Sequence, residues 1–276
     1  MQFRIQKVRK DLIFEEDDAL AIEEPLEINI SYGSENERVQ KSISVTMRTP
    51  GNDAELARGF LFTEGIITNA GEIRNIIQNK GNDNVVNVEL KNGHILNLSN
   101  LDRNFYTTSS CGVCGKSSIG AIRTVCPFPQ QQDHLKISSD VLYTLSEELK
   151  LKQEIFKNTG GIHGCALFDT AGNLLLSRED VGRHNAVDKL VGAALNLSML
   201  PMNQHVLLLS GRASFELIQK AWMTGIKVVA AIGAPSSLAV QLARESGITL
   251  VGFLKFNSFN IYSESGRISF SGSKNR

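Results

Sequence analysis

The chain has 276 residues, 42% of them apolar, and its 29 basic and 29 acidic residues cancel. That length supports one large or two modest domains, and the neutral balance gives no whole-chain attraction to nucleic acid or to an anionic membrane. Four cysteines in so long a chain do not make a disulfide scaffold and fit a reducing cytosol.

Residues 1–14 alternate charges with single apolar residues and hold no apolar run of signal-peptide length. No stretch approaches the roughly 20 apolar residues of a membrane span. A cytoplasmic protein without membrane attachment is the expectation. Leu26, Ile28 and Ile30 alternate, as do Ile43, Val45 and Met47, which fits two half-buried strands. Asp53 can cap a helix that buries Leu56, Ala57, Phe60 and Leu61, with Gly65 as its stop. Val86, Val88 and Leu90 before Lys91-Asn92-Gly93, with Leu96 and Leu98 after it, read as a hairpin. Cys126-Pro127-Phe128-Pro129 and the glutamines after it form the best linker, so a boundary is placed between residues 1–130 and 131–276.

Beyond the boundary the period changes. Residues 139–152 read as a helix with Val141, Leu142, Leu145 and Leu149 on one face. A strand over 162–168 turns at 169–173 into a strand over 174–176, and a helix over 183–195 buries Val187, Leu190, Val191 and Ala194. Strands at 205–209, 226–232 and 248–254 then alternate with helices at 213–223 and 236–244. Strands that are apolar almost throughout indicate a parallel core covered on both faces. Residues 261–262 and 268–270 are expected to add a closing hairpin.

Chemistry concentrates in Ser109-Ser110-Cys111-Gly112-Val113-Cys114-Gly115-Lys116. A paired thiol and a nearby cation such as Lys116 both favour the thiolate, the reactive form. Structural zinc would need a second close ligand pair, and Cys126 and Cys165 lie far apart; a mixed site with Cys126 and His134 is the nearest substitute. A thioredoxin-like oxidoreductase would carry the motif after an early strand, and an inert exposed pair would invite oxidation. Cys165, between Gly164 and Ala166 on an apolar strand, reads as a core cysteine.

Two turns at the carboxyl ends of parallel strands are short and rich in small residues, Ser210-Gly211-Arg212-Ala213-Ser214 and Gly233-Ala234-Pro235-Ser236-Ser237. Ligands of open α/β sheets collect at such ends. Helix starts with unpaired N–H groups bind anions, and Arg212 adds a planar donor fork. The candidate ligand-binding set is Ser210, Gly211, Arg212, Ser214, Gly233 and Ser236, with His163 at the neighbouring strand entrance; alone, His163 reads as a structural hydrogen-bonder. The polar run from Arg178 to Asn185 reads either as a capped helix start with solvated charges or as part of a site.

Taken together, several stretches resemble the FdhD family, the formate dehydrogenase accessory sulfurtransferases. They are Arg48-Thr49-Pro50-Gly51-Asn52-Asp53 with residues 59–65, Ser110 to Gly115, Thr159-Gly160-Gly161-Ile162-His163-Gly164, Arg178 to Lys189, Ser210-Gly211-Arg212, and Phe259-Asn260-Ile261-Tyr262. The resemblance implies a small N-terminal α+β domain followed by a cytidine deaminase-like three-layer α/β domain with a mixed, largely parallel sheet. It implies that Cys111 accepts sulfane sulfur from a cysteine desulfurase as a persulfide. That sulfur passes to the molybdenum or tungsten bis-pterin guanine dinucleotide cofactor of formate dehydrogenase, a cargo and not a resident metal. Cys114 stabilises the leaving thiolate, relays sulfur or resolves the persulfide. The cofactor-contacting stretch maps to Phe253, Leu254, Lys255, Phe256, Asn257 and Ser258, where Lys255-Phe256 replaces the expected Arg-Gly and so loses a bidentate fork. A homodimer is implied as well. Two other classes stand beside this one. A cofactor-binding chaperone with redox-sensing cysteines would carry no persulfide. A zinc deaminase would need His-x-Glu and Pro-Cys-x-x-Cys, and the chain offers His163-Gly164-Cys165 and Ser210-Gly211-Arg212-Ala213-Ser214 instead.

Overall fold

A computed structural model describes residues 1–79, 81–93, 126–128 and 134–271. The chain opens with an antiparallel hairpin of β1 (Gln2–Arg9) and β2 (Leu12–Ala19), a two-stranded sheet of its own whose side chains are mostly exposed. Sequence periodicity does not show it, because charges occupy both faces. A four-stranded sheet follows from β3 (Glu24–Gly33), β4 (Arg38–Arg48), β5 (Ile73–Asn79) and β6 (Asn82–Leu90), in the order β4-β3-β6-β5. Leu26, Ile28 and Ile30 are fully buried, as their alternation requires. The second alternation breaks. A register shift at Ile28/Asn29 leaves Ile43 buried, and beyond it Val45 and Met47 face outward at 52% and 41% exposure. One extra residue on β4 exchanges its two faces. Over residues 85–89, β6 is parallel to β3 and antiparallel to β5, so both its edges are taken. Leu96 and Leu98, expected to form the hairpin partner of β6, lie outside the described residues.

Helix α1 (Asp53–Thr63) buries Leu56, Ala57, Leu61 and Phe62. Asp53 does not cap it. Asn52 holds the N-cap with φ 59°, while Asp53 accepts from Arg48 Nε and Nη2 at 2.9 and 3.1 Å. The bidentate fork outcompetes a cap because both groups are buried.

The larger sheet has six strands in the order β13-β12-β11-β10-β8-β9. They are β8 (His163–Phe168), β9 (Leu174–Asp180), β10 (Val206–Leu209), β11 (Val228–Ala231), β12 (Thr249–Lys255) and β13 (Ser258–Ser263). Only β10, β11 and β12 run parallel; β8, β9 and β13 are antiparallel to their neighbours. The sheet is therefore mixed with a parallel centre, not largely parallel. Strand alternation splits its side chains between two cores. Leu207, Leu209, Val229 and Ala231 face α4 (Arg183–Asn196), α5 (Phe215–Met223) and α6 (Ser237–Glu245). Val206, Leu208, Val228 and Ala230 face Leu142, Leu145 and Leu149 of α2 (Ser139–Lys152). Three layers result. A short helix α3 (Glu154–Thr159), too brief for periodicity to reveal, leads from α2 toward β8. The closing hairpin does not form: β13 pairs with β12, and β14 (Ile268–Ser269) runs parallel to β7 (Ile137–Ser138).

Apolar side chains from before and after residue 130 share one core, and Phe128 packs against it near Phe62. α1 and α4 cross at backbone contact. A Cβ on Gly59 would lie 1.9 Å from the Asp188 carbonyl, and one on Gly192 would lie 1.9 Å from that of Glu55. Buried charges tie the same seam. Lys220 Nζ donates to both oxygens of Asp188 at 3.0 Å, and Thr63 Oγ1 donates to Asp188 at 2.7 Å. Lys189 Nζ meets Asp180 Oδ2 and the Thr49 carbonyl, each at 2.7 Å.

Candidate functional site

The strand directions gather five motifs at one edge of the six-stranded sheet. β10, β11 and β12 end there; β8 begins there, because His163 pairs with Asp180 at the end of β9. Gly164 binds the turn after β10 twice, through its N–H to Ser210 Oγ and its carbonyl to the Ser210 N–H, both at 2.9 Å. Gly211 lies under the imidazole of His163: a Cβ there would come within 3.3 Å of Nδ1. His184 Nε2 lies 3.2 Å from Ser214 Oγ and 2.8 Å from Glu216 Oε2. His163, Arg183, His184 and the turn at 210–214 thus form one polar corner.

The two glycine-containing turns are knitted to each other. Gly233 N–H donates to the Gly211 carbonyl, Ala213 to Ala234, and Ser236 to Ala213. Glycine is required at 233, where a Cβ would sit 2.9 Å from Gly211 and Arg212 backbone atoms. These amides, expected to face an anion, are spent inside the protein. Ser236 Oγ accepts from Ala239 N–H and caps α6, while α5 starts with the Glu216 carboxylate in its first turn. The expectation of two open helix starts is corrected for α6 alone; Ser214, the N-cap of α5, makes no side-chain cap hydrogen bond.

The third helix start differs. α4 begins at Gly182, which has no side chain to cap it, and its first turn holds no acidic residue. Gly182 N–H is taken by Asp180 Oδ1, and Ala186 N–H by the Gly182 carbonyl. Among the described residues nothing accepts from the backbone N–H groups of Arg183, His184 and Asn185. Arg183 is half-buried with an unpartnered Nε, and the 6% exposed His184 keeps an unpartnered Nδ1. Burial, then the charges of Arg183 and His184, hold the His163 pKa below the usual histidine value against the pull of Asp180.

Of the stretch at 253–258, Phe253, Lys255, Phe256, Asn257 and Ser258 are exposed, and Phe256 and Asn257 form the turn between β12 and β13. Phe253 has φ 52°, a conformation rare for a bulky side chain, and its N–H is held by the Gly233 carbonyl at 3.2 Å. Leu254 is a correction: at 1% exposure it belongs to the core against α2 and offers no ligand surface. Arg212 is exposed beside Gly211. Cys111, Cys114 and Lys116 lie outside the described residues. Cys165 is buried, its Sγ donating to the Ala186 carbonyl at 3.1 Å, and burial pushes its thiol far up, which suits a core residue and not a nucleophile. Cys126 Sγ donates to the Trp222 carbonyl at 3.1 Å, and burial raises its pKa too. Among the described residues no cluster of His, Cys, Asp and Glu is arranged to hold a metal ion, and no helix is long and apolar enough to cross a membrane. Arg183, His184 and Glu216 were absent from the candidate set; the polar run from 178 to 185 and the family-like stretch from Arg178 to Lys189 were the sequence signals for the first two, and Glu216 had none.

With the geometry in hand, the comparisons are specific. The profile of the FdhD/NarQ family matches residues 21–269. The chain is 47% identical over 273 residues to a sulfur carrier protein FdhD from Streptomyces avermitilis, covering 96% of this chain and 94% of that one. It is 50% identical over 260 residues to one from Mycolicibacterium paratuberculosis, covering 91% and 92%. The crystal structure of a formate dehydrogenase accessory protein from Desulfotalea psychrophila superposes with a TM-score of 0.76 at 26% identity, covering 98% of this chain and 99% of that one. Motif order, sheet topology and these matches agree: the chain belongs to the FdhD/NarQ family.

Proposed function

We propose that this protein is a sulfur carrier that serves formate dehydrogenase, taking sulfane sulfur from a cysteine desulfurase and passing it to the molybdenum or tungsten bis-pterin guanine dinucleotide. The observation that carries the reading is the family membership over almost the whole chain, together with the relatives' name as sulfur carriers. The Cys111 thiolate attacks the outer sulfur of the donor persulfide, the donor's S–S bond breaks, and the donor leaves as a thiolate. When the sulfane sulfur moves on to the metal of its substrate, the persulfide S–S bond breaks, Cys111 leaves as a thiolate, and the two electrons that turn the sulfur into a sulfido ligand would come from the reduced metal of that substrate. Cys114 stabilises, relays or resolves. The buried, high-pKa Cys165 takes no part, and this favours Cys111 and Cys114 as the reactive thiols.

The guanine dinucleotide arms of the substrate rest on the carboxyl edge of the six-stranded sheet in this reading. Exposed Phe253 and Phe256 offer flat faces for a base. Ser210, Gly211, Arg212, Ser214 and His163 lie alongside. The cytidine deaminase-like fold of this half and the homodimer belong to the same proposal; the three-layer, mixed-sheet architecture supports the former. The protein is incubated with a cysteine desulfurase and cysteine, and its peptides are weighed. The expected result is a gain of one sulfur atom on the Cys111 peptide, with dehydrogenase activation lost in Cys111→Ala. Undiminished activation by that variant would rule out the carrier role and leave a chaperone.

A further inference from the structure

None of the side chains of the β1–β2 hairpin belongs to either buried core. Its neighbour on the body is the six-residue helix α3, which lies beside β2. A two-stranded hairpin without a third strand or a covering helix face is marginal in water. This one still presents Phe3, Val8, Leu12, Ile13 and Phe14, each between 43% and 64% exposed. Large apolar side chains gathered on so short an arm mark a surface that something covers.

The strand register sorts the arm into two faces. Phe3 pairs with Asp18, Ile5 with Glu16, Lys7 with Phe14 and Arg9 with Leu12, so these residues share one face. Every row on it joins one apolar residue to one charge, and the signs are segregated. The rows next to the turn carry Lys7 and Arg9; the rows at the far end carry Glu16 and Asp18. Lys7 and Glu16, in adjacent rows, meet in an ion pair. Arg9 and Asp18 stand at opposite ends of the face, roughly 20 Å apart along the strands, and cannot meet within one copy. Neither has an ion-pair partner among the described residues. On the opposite face Arg4 is already paired with Glu15 and Asp17.

The charges of the first face sum to zero, so a uniformly acidic or basic partner finds no field there. A basic half and an acidic half at opposite ends instead match the same face turned end for end. Stacked antiparallel about a two-fold axis, two copies lay the Lys7–Arg9 half of each on the Glu16–Asp18 half of the other, with Phe3, Leu12 and Phe14 shielded between them. Stacking in the same direction sets like charge on like. We propose that this face of the hairpin is a contact between two copies of the chain, an arm-to-arm stack in which Arg9 of each copy meets Asp18 of the other. The proposal rests on the homodimer in the reading above and supplies its surface. The face measures about 25 Å by 10 Å in outline, small for an interface, so micromolar association is the expected range.

Full-length wild type, Arg9→Asp, Asp18→Arg and Leu12→Asp are compared by sedimentation equilibrium over a concentration series, and their binding to a cysteine desulfurase and to formate dehydrogenase is measured alongside. Wild type should dimerise, more weakly as salt is added. Arg9→Asp and Asp18→Arg each set like charges together on both sides of the axis and should lose about tenfold. Mixed in equal amounts, these two variants should recover the wild-type affinity, because both contacts across the axis then join opposite charges again. Leu12→Asp puts a charge into the apolar strip and should lose about a hundredfold. All three should melt like wild type at a dilution where every sample is monomeric, since no core residue is touched. A dimer whose affinity none of the variants changes would overturn the arm surface and keep the homodimer; a monomer at every concentration would overturn both. Single variants that weaken the dimer and fail to recover on mixing would overturn the antiparallel stack. Unchanged dimerisation with lost binding to the desulfurase or the dehydrogenase would give the face to that partner and overturn the proposal.

Discussion

Asp188 and Lys189, in the middle of α4, are 2% and 1% exposed, and each meets an opposite charge within 3.0 Å. Arg183, less than two turns earlier on the same helix, meets none among the described residues. The first pair faces the N-terminal region, through Thr49 and Thr63; the second position faces the carboxyl edge of the sheet. A buried charge left unpaired costs far more than a paired one. The closed seam therefore does the work of assembly. The open corner carries an electrostatic deficit that assembly does not need.

Removing a partner from the closed seam should have the largest effect. Lys189→Met leaves the carboxylate of Asp180 buried with amide donors only, at a cost of about 3–5 kcal/mol in urea unfolding. A loss under about 1 kcal/mol would mean that amides alone hold that charge, and the contrast with Arg183 would weaken. Gly192→Ala comes next. Its Cβ meets a backbone carbonyl that no rotamer change can move, so about 2–3 kcal/mol should be lost as α1 and α4 separate. An unchanged melting temperature would show that the crossing is looser than backbone contact.

The smallest effect concerns the open corner. Burial, then the charges of Arg183 and His184, hold the native pKa of His163 below that of the unfolded chain against the pull of Asp180. The unfolded state then takes up the proton first. Stability from this residue is full above about pH 6.5 and falls as pH drops below it. His163→Asn should flatten that acid slope in thermal melts. Identical slopes in the two proteins would remove His163 from the corner's electrostatics.

Much of the larger half was legible because its signals are local. The helix at 139–152 is found where the spacing of Leu142, Leu145 and Leu149 put it, and the apolar runs at Val206 and Val228 are strands. Failures came where a distant partner decides. The outward turn of Val45 follows from a bulge against β3, and the pairing of β14 with β7 joins residues about 130 apart in sequence, a nonlocal closure that no window of sequence displays. α5 starts at Phe215, later than expected, because Ala213 is bridged to Pro235. The site was half visible. Small residues at strand ends pointed to the edge where these motifs meet, but not to the uncapped start of α4, which depends on Asp180 and Glu216 being engaged by Lys189 and His184.

The α1–α4 crossing also sets a schedule for synthesis. α1 is complete at Thr63, but the helix that covers it ends at Asn196. At ribosomal rates of about 5–20 residues per second, the roughly 130 intervening residues take on the order of 10 s to emerge. Throughout that interval Gly59 and its neighbours present a bare helix face to holdases and proteases. The N-terminal half is therefore made first and finished late, and an arrest of translation before α4 would release a fragment with its main docking surface uncovered.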